Sequence, residues 1–184
     1  SIEDCYDPSL YPGRSIAEDT YGENINWFID AGVDVILFET MGHIEEIEIA
    51  LETVKGLDHK IWLSLIMKDK DHILSGHHIN DVFMLADKNI DCLLLNCNTI
   101  AKTNETLDII KNNWNNSWGV YPNLGLSEPE PDGEIEEKVQ ENDFRETIFK
   151  YLNMNPKIIG SCCGSSPKHI KIIKEITNKI FLSD

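Results

Sequence analysis

The sequence predicts an α/β protein, a parallel sheet of about five strands covered by helices. Three observations carry that reading. Apolar runs of strand length occur at Val33–Phe38, Ile61–Met67, Cys92–Leu95, Trp118–Tyr121 and Lys157–Gly160. Segments with the spacing of an apolar helix face lie between them. The runs are nearly continuously apolar, as expected of strands buried on both faces in a parallel sheet.

Taken in order, a first helix is expected over Ile16–Ala31, ahead of the run at Val33. A second spans Ile44–Val54, with Ile44, Ile47, Ala50, Leu51 and Val54 on one face. Further helices fall at about Ile79–Lys88, Thr103–Asn112, Asn142–Leu152 and Pro167–Ile180. The last begins at Ser165-Ser166-Pro167, a capping hydroxyl ahead of a proline in the first turn. Pro122–Lys138 breaks the rhythm with Pro122, Pro129, Pro131, Gly125, Gly133 and many acids, and reads as a long exposed loop.

A chain of 184 residues with 41% hydrophobic content suits one domain with its own core. Its net charge of −16 excludes nucleic acid as a partner, because phosphates would be repelled. No stretch approaches the ~20 apolar residues of a membrane span. Glu3, Asp4, Asp7, Glu18 and Asp19 in the opening segment do not resemble a secretory signal. The expectation is a soluble, cytoplasmic protein without a membrane partner.

Five cysteines at irregular spacing make a poor disulfide framework. Cys97 ends DCLLLNC, and Cys162-Cys163 stand in KIIGSCCGSSP. Three thiols at strand ends predict a zinc site with one coordination position open, the feature that separates catalytic from structural zinc. On a continuing strand Cys162 and Cys163 would point to opposite faces, so the backbone must already be turning. Gly160 and Gly164 bracket the pair and allow that turn. Cys97 ends the third run and Cys162 the fifth. Alternate strands of a (β/α)8 barrel feed one interior layer, whereas twist separates such strands in an open sheet, so the barrel is favoured. A substrate thiol entering the open position loses its proton near neutral pH. Two other readings stay open: a zinc-binding chain without catalysis, and a thiol redox protein with a vicinal Cys162-Cys163 disulfide. Cys92 reads as a small core residue, and Cys5 stays undecided.

Glu39 closes the run in GVDVILFETMG, where an acid faces the active rim; its alternative is to cap the helix near His43. Asn96 beside Cys97, and Tyr121 and Asn123 in YPN, are candidate substrate contacts at the same rim. His169 could close the site as a further, structural ligand, but it lies inside the following helix. His77-His78 reads as the exposed start of a helix, and His43, His59 and His72 carry no motif. Trp62 and Trp118 read as core.

With these residues in hand, the chain resembles the homocysteine S-methyltransferase family, which has betaine-, S-methylmethionine- and folate-dependent members. The matching stretches are AGVDVILFET (31–40), LLLNC (93–97), YPN-x-G (121–125) and GSCCGSSPKHI (160–170), in family order. The resemblance implies a (β/α)8 TIM barrel, Cys97, Cys162 and Cys163 as zinc ligands, and Glu39 as the acid that holds the homocysteine amino group. It implies methionine as product and a small methyl donor of the S-methylmethionine, betaine, S-adenosylmethionine or methylfolate type. Gly160-Ser161-Cys162-Cys163-Gly164-Ser165 stands where the family has GGCCGT, and Leu124-Gly125-Leu126 departs from the family pattern after YPN. Complete family barrels are much longer, and their opening Asp-Gly-Gly motif is absent here. The resemblance therefore places residues 1–184 as a single, N-terminally truncated domain carrying the fourth to eighth barrel strands. Ser1-Ile2-Glu3 would end the third, with the missing strands supplied by a longer chain.

Overall fold

The structure is a computed structural model that describes residues 1–127, 135 and 137–181. After a single turn at Pro8–Leu10, helices and strands alternate: α1 (Arg14–Ala31), β1 (Val35–Met41), α2 (Ile44–Thr53), β2 (Lys60–Leu65), α3 (Ile79–Ala86), β3 (Cys92–Asn96). They continue as α4 (Ile100–Asn113), β4 (Trp118–Tyr121), α5 (Glu141–Leu152), β5 (Ile158–Ile159) and α6 (Pro167–Phe181). All strand pairs are parallel and the sheet order is β1-β2-β3-β4-β5, without reversal. A doubly wound sheet reverses its strand order at a switch point. The sequential order is instead that of consecutive barrel staves, as expected from the sequence.

Each element has a local cause. α1 buries Ala17, Tyr21 and Ile25, one per turn, and stops at Gly32, whose φ of 71° accepts the left-handed conformation that ends the helix. Thr99 caps α4 by accepting from the Lys102 amide. The outer face of the sheet meets the helices: Ile36, Phe38, Leu63, Leu93, Leu95 and Val120 join Ile47, Val82, Leu107 and Ile110 in one core. Removing each such side chain from water contributes about 1.5–3 kcal/mol. A smaller cluster, Phe144, Ile148, Leu152, Ile172 and Ile173, joins α5 to α6 and takes in Leu124. Arg14 reaches Glu18, Glu45, Glu48 and Glu52 and so ties α1 to α2, although its exposure keeps each pairing weak.

The other face is the barrel interior. Side chains alternate along strands, and in register this face carries Leu37, Trp62 and Cys92, then Leu94, Gly119 and Ile158, then Asn96 and Tyr121. Gly119 is required there, since a Cβ would lie 2.6 Å from Leu94 Cδ2 and 2.7 Å from the Ile158 carbonyl. Ser1 sits on the outer edge of β1, its amino group donating to the Glu39 carbonyl at 3.2 Å.

Several boundaries differ from expectation. β1 runs on to Met41, so Glu39 lies within the strand, and β5 is only Ile158–Ile159. α4 begins at Ile100, ahead of the expected Thr103, because Thr99 supplies a cap. The segment after β4 is not exposed at its start: Pro122–Gly125 are buried and Gly125 bridges Lys138. Pro129, Pro131 and Gly133 lie outside the described residues. Among the described residues no helix is long and apolar enough to cross a membrane.

Replacing Gly119 by Ala should destabilise the fold by about 1–3 kcal/mol, since neither Leu94 nor a backbone carbonyl can retreat freely. Denaturant unfolding measures this, and an unchanged midpoint would contradict the close approach.

Candidate metal centre

β3 ends abruptly. Cys97 adopts φ 53° and is buried, its amide donating to the Tyr121 carbonyl and its carbonyl accepting from Asn123 Nδ2 at 2.8 Å. The Cys162 and Cys163 loop is strapped to the same segment: the Cys162 amide donates to the Pro122 carbonyl and the Leu124 amide to the Cys163 carbonyl. Gly164 supplies the turn with φ 76°. Gly160 does not share that role. A Cβ there would lie 3.1 Å from Tyr121 Cβ, so its smallness serves the packing of Tyr121.

These straps bring the three predicted cysteines together. All three sulfurs lie within 4.8 Å of one another. Cys163 Sγ is 3.8 Å from both Cys97 Sγ and Cys162 Sγ. Thiolates on one tetrahedral zinc at about 2.3 Å stand about 3.8 Å apart. Two of the three sulfur pairs already match that spacing. The third pair, Cys97 and Cys162, lies closer still, with their Cα atoms 5.6 Å apart. The vicinal Cys162-Cys163 disulfide left open as an alternative is not formed, since those sulfurs stand 3.8 Å apart. As free thiols, the three cysteines make a donor set that fits zinc.

His169 stays out of the cluster. Its Nδ1 accepts from the Ser166 amide at 3.0 Å, and its ring packs edge-on against Phe144. His78 caps α3 by accepting from the Asn80 amide. Cys92 is buried in β3, which pushes its thiol up to about 11, aided by Asp91. Burial also raises the Cys5 thiol.

Glu39 is exposed on the interior face, and Tyr121 Oη donates to its Oε1 at 2.9 Å. It does not cap α2, which begins at His43 without a side-chain cap. Burial raises the Tyr121 hydroxyl well above the phenol range; the nearby Ser64 hydroxyl works against this and the Glu39 charge adds to it. The phenol therefore stays a donor.

Two expected substrate contacts are corrected. Asn96 is fully buried: its Oδ1 accepts from Ser64 Oγ at 2.5 Å and its Nδ2 donates to Thr40 Oγ1 at 2.7 Å. Asn123 is fully buried too, donating to the Cys97 carbonyl and accepting from the Gly125 amide at 3.0 Å. Both are buried struts, each donating one side-chain hydrogen bond and accepting another. Sequence reasoning also missed Asn98, which is buried and joins the Met67 amide to the Leu65 carbonyl. An asparagine at a strand end reads the same whether it binds or braces.

A second polar group was missed as well. His72 Nδ1 lies 2.9 Å from Asp69 Oδ1 and 2.8 Å from Asp71 Oδ1 in the loop after β2. The Asp-x-Asp-His spacing was its only signal in the sequence. The Asp69 hydrogen bond raises the His72 pKa. Desolvation opposes ionisation of Asp69, but hydrogen bonds from His72 and the Asp71 and His72 amides hold it well below the carboxylate range.

The parallel, sequentially ordered strands are those of part of a β/α barrel, with three cysteines able to hold a metal ion and a carboxylate at the strand C-termini. Residues 2–177 match the homocysteine S-methyltransferase family, and the chain belongs to it. It is 26% identical over 175 residues to Homocysteine S-methyltransferase 2 of Zea mays, covering 90% of this chain and 51% of that protein. Among solved structures, the Escherichia coli homocysteine methyltransferase MmuM matches in its metallated form (TM-score 0.74, 21% identity, 94% of this chain and 56% of that one). Its oxidized form matches with TM-score 0.75 and 20% identity over the same shares. The chain thus spans about half the length of the curated relatives it matches.

An NMR titration should place the His72 pKa above the ordinary histidine value of 6.5. Asp69→Asn should return it toward that value. The pairing supports its loop below about pH 6.5 and fades as pH rises through the raised pKa. An unshifted His72 would contradict it.

Proposed function

We propose that the protein carrying this chain methylates the thiol of homocysteine to give methionine, at a zinc held by Cys97, Cys162 and Cys163. The observation that carries the reading is the convergence of three sulfurs from two strand ends, two of the three pairs at the spacing of a zinc–thiolate tetrahedron. Zinc bound there supplies an open position at which a thiol gives up its proton near neutral pH.

The chain's own residues do the rest. Glu39 takes the homocysteine ammonium group, and Tyr121 steadies one carboxylate oxygen while its second oxygen accepts the amine. The thiolate sulfur attacks the donor methyl carbon in line. The new S–C bond forms as the donor's bond to that methyl breaks, and the donor keeps the electron pair. A cationic donor, a sulfonium or quaternary ammonium of the S-methylmethionine, S-adenosylmethionine or betaine type, leaves neutral and suits a chain of net charge −16. A methylfolate-type donor lacks that electrostatic advantage.

The proximity of Cys97 and Cys162 also allows their oxidation to a disulfide, a second, non-catalytic state in which the site takes no metal. A reducing cytoplasm would keep the trio open. Zinc titration separates the two states: reduced protein should take up stoichiometric zinc and lose three alkylatable thiols, and oxidised protein should do neither.

Cys97→Ser should weaken zinc binding by about 100-fold or more and abolish methionine formation with it. Zinc affinity measured by chelator competition checks this, and unchanged affinity would remove Cys97 from the ligand set. Glu39→Gln should spare zinc and weaken homocysteine about 10- to 100-fold, the worth of one charged hydrogen bond. Zinc loss in that variant would contradict the assignment.

A further inference from the structure

Glu39 and Cys97 lie on strands separated by β2, yet one side chain joins their strand ends. Thr40, next to Glu39, has φ 58°, and Cys97, next to Asn96, has φ 53°. Left-handed backbone is unfavourable for ordinary residues and most of all for a β-branched one, and it persists only where surrounding contacts enforce it. The enforcing contact at Thr40 is Asn96. Its Nδ2 donates to Thr40 Oγ1 at 2.7 Å, reaching from β3 over β2 to β1. Ser64 on β2 fixes the orientation of the amide by donating to Asn96 Oδ1. Asn96 and Ser64 are fully buried and Thr40 is 8% exposed, so water cannot substitute for any of these bonds.

Asn96 is also in register with Tyr121, whose hydroxyl holds the Glu39 carboxylate. Two sets of polar contacts therefore meet at β1: Tyr121 holds the Glu39 carboxylate, and Asn96, oriented by Ser64, holds Thr40, the residue after Glu39. Cys97 follows Asn96 directly, so whatever moves the Asn96 backbone moves a metal ligand.

We infer that Asn96, acting through the Thr40 hydroxyl, is a positioning residue that sets the spacing between the amine-holding acid and the thiol-holding cysteine. This rests on the reading of the site given above. Homocysteine carries its sulfur and its amine at the two ends of a flexible carbon chain. A site that grips both ends selects the substrate by their separation, and a loose separation forfeits the gain of holding both at once. Asn96 serves here as the crossbar that keeps the two grips a fixed distance apart. It touches neither sulfur nor amine.

The test is direct binding to the zinc-loaded protein of homocysteine and of 4-mercaptobutanoate, which is homocysteine without its amine. Thr40→Val keeps the side-chain shape and removes the acceptor. It should weaken homocysteine by about tenfold or more while leaving zinc affinity and 4-mercaptobutanoate binding unchanged. Thr40→Ser, which restores the hydroxyl, should restore homocysteine binding. Should Thr40→Val fail to fold, Ser64→Ala frees the Asn96 amide to turn and should act in the same direction. Homocysteine binding untouched in the folded variant overturns the inference. So does equal loss of zinc, homocysteine and 4-mercaptobutanoate, which is general damage. Wild-type protein that takes zinc but not homocysteine overturns both this inference and the reading beneath it.

Discussion

The stretch that continues β4, Tyr121 to Leu124, is the constraint on which the site depends. Its backbone receives the Cys97 amide at Tyr121 and the Cys162 amide at Pro122, and its Leu124 amide reaches the Cys163 carbonyl. Asn123 adds a side-chain bond to the Cys97 carbonyl and a backbone bond to the Asn98 carbonyl. Cysteines separated by 65 positions in sequence are thus fastened to the same four residues. The segment must be buried to do this, which is why a stretch rich in loop-forming residues starts inside the molecule.

Neutral amides do the bracing beneath the cysteines. Asn96, Asn98 and Asn123 each combine donors and an acceptor in one side chain, and all three are buried. Charged residues in these places would add a desolvation cost and set up a field competing with the thiolates. Acidic side chains lie elsewhere: Glu46 is buried under Tyr21, and at the surface Arg14 gathers four glutamates of α1 and α2.

Much of this was legible in the residues, for identifiable reasons. Strands buried on both faces leave continuous apolar runs, so all five were placed to within a few residues, and Trp118–Tyr121 agrees at both ends. The parity of Cys97 and Cys162 along the strand order pointed to a curled sheet, and the sulfurs do meet. The asparagines were not legible. Asn96 and Asn123 were expected at the substrate, and only their burial and their bonds to neighbouring strand ends show them to be struts. The Gly160 role was misjudged similarly: a glycine beside a turn looks like the hinge, whereas here it makes room for the Tyr121 ring. His72 escaped notice because its partners, Asp69 and Asp71, matter only once the loop folds back on itself.

Gly119 carries one more implication. Leu94 and Ile158 close in over the space its missing side chain leaves, one layer below Asn96 and about 7 Å deeper by strand rise. That layer has no spare volume at this point. A bulkier residue at position 119 would have to push β5 away from β4, and with it the turn that carries Cys162 and Cys163.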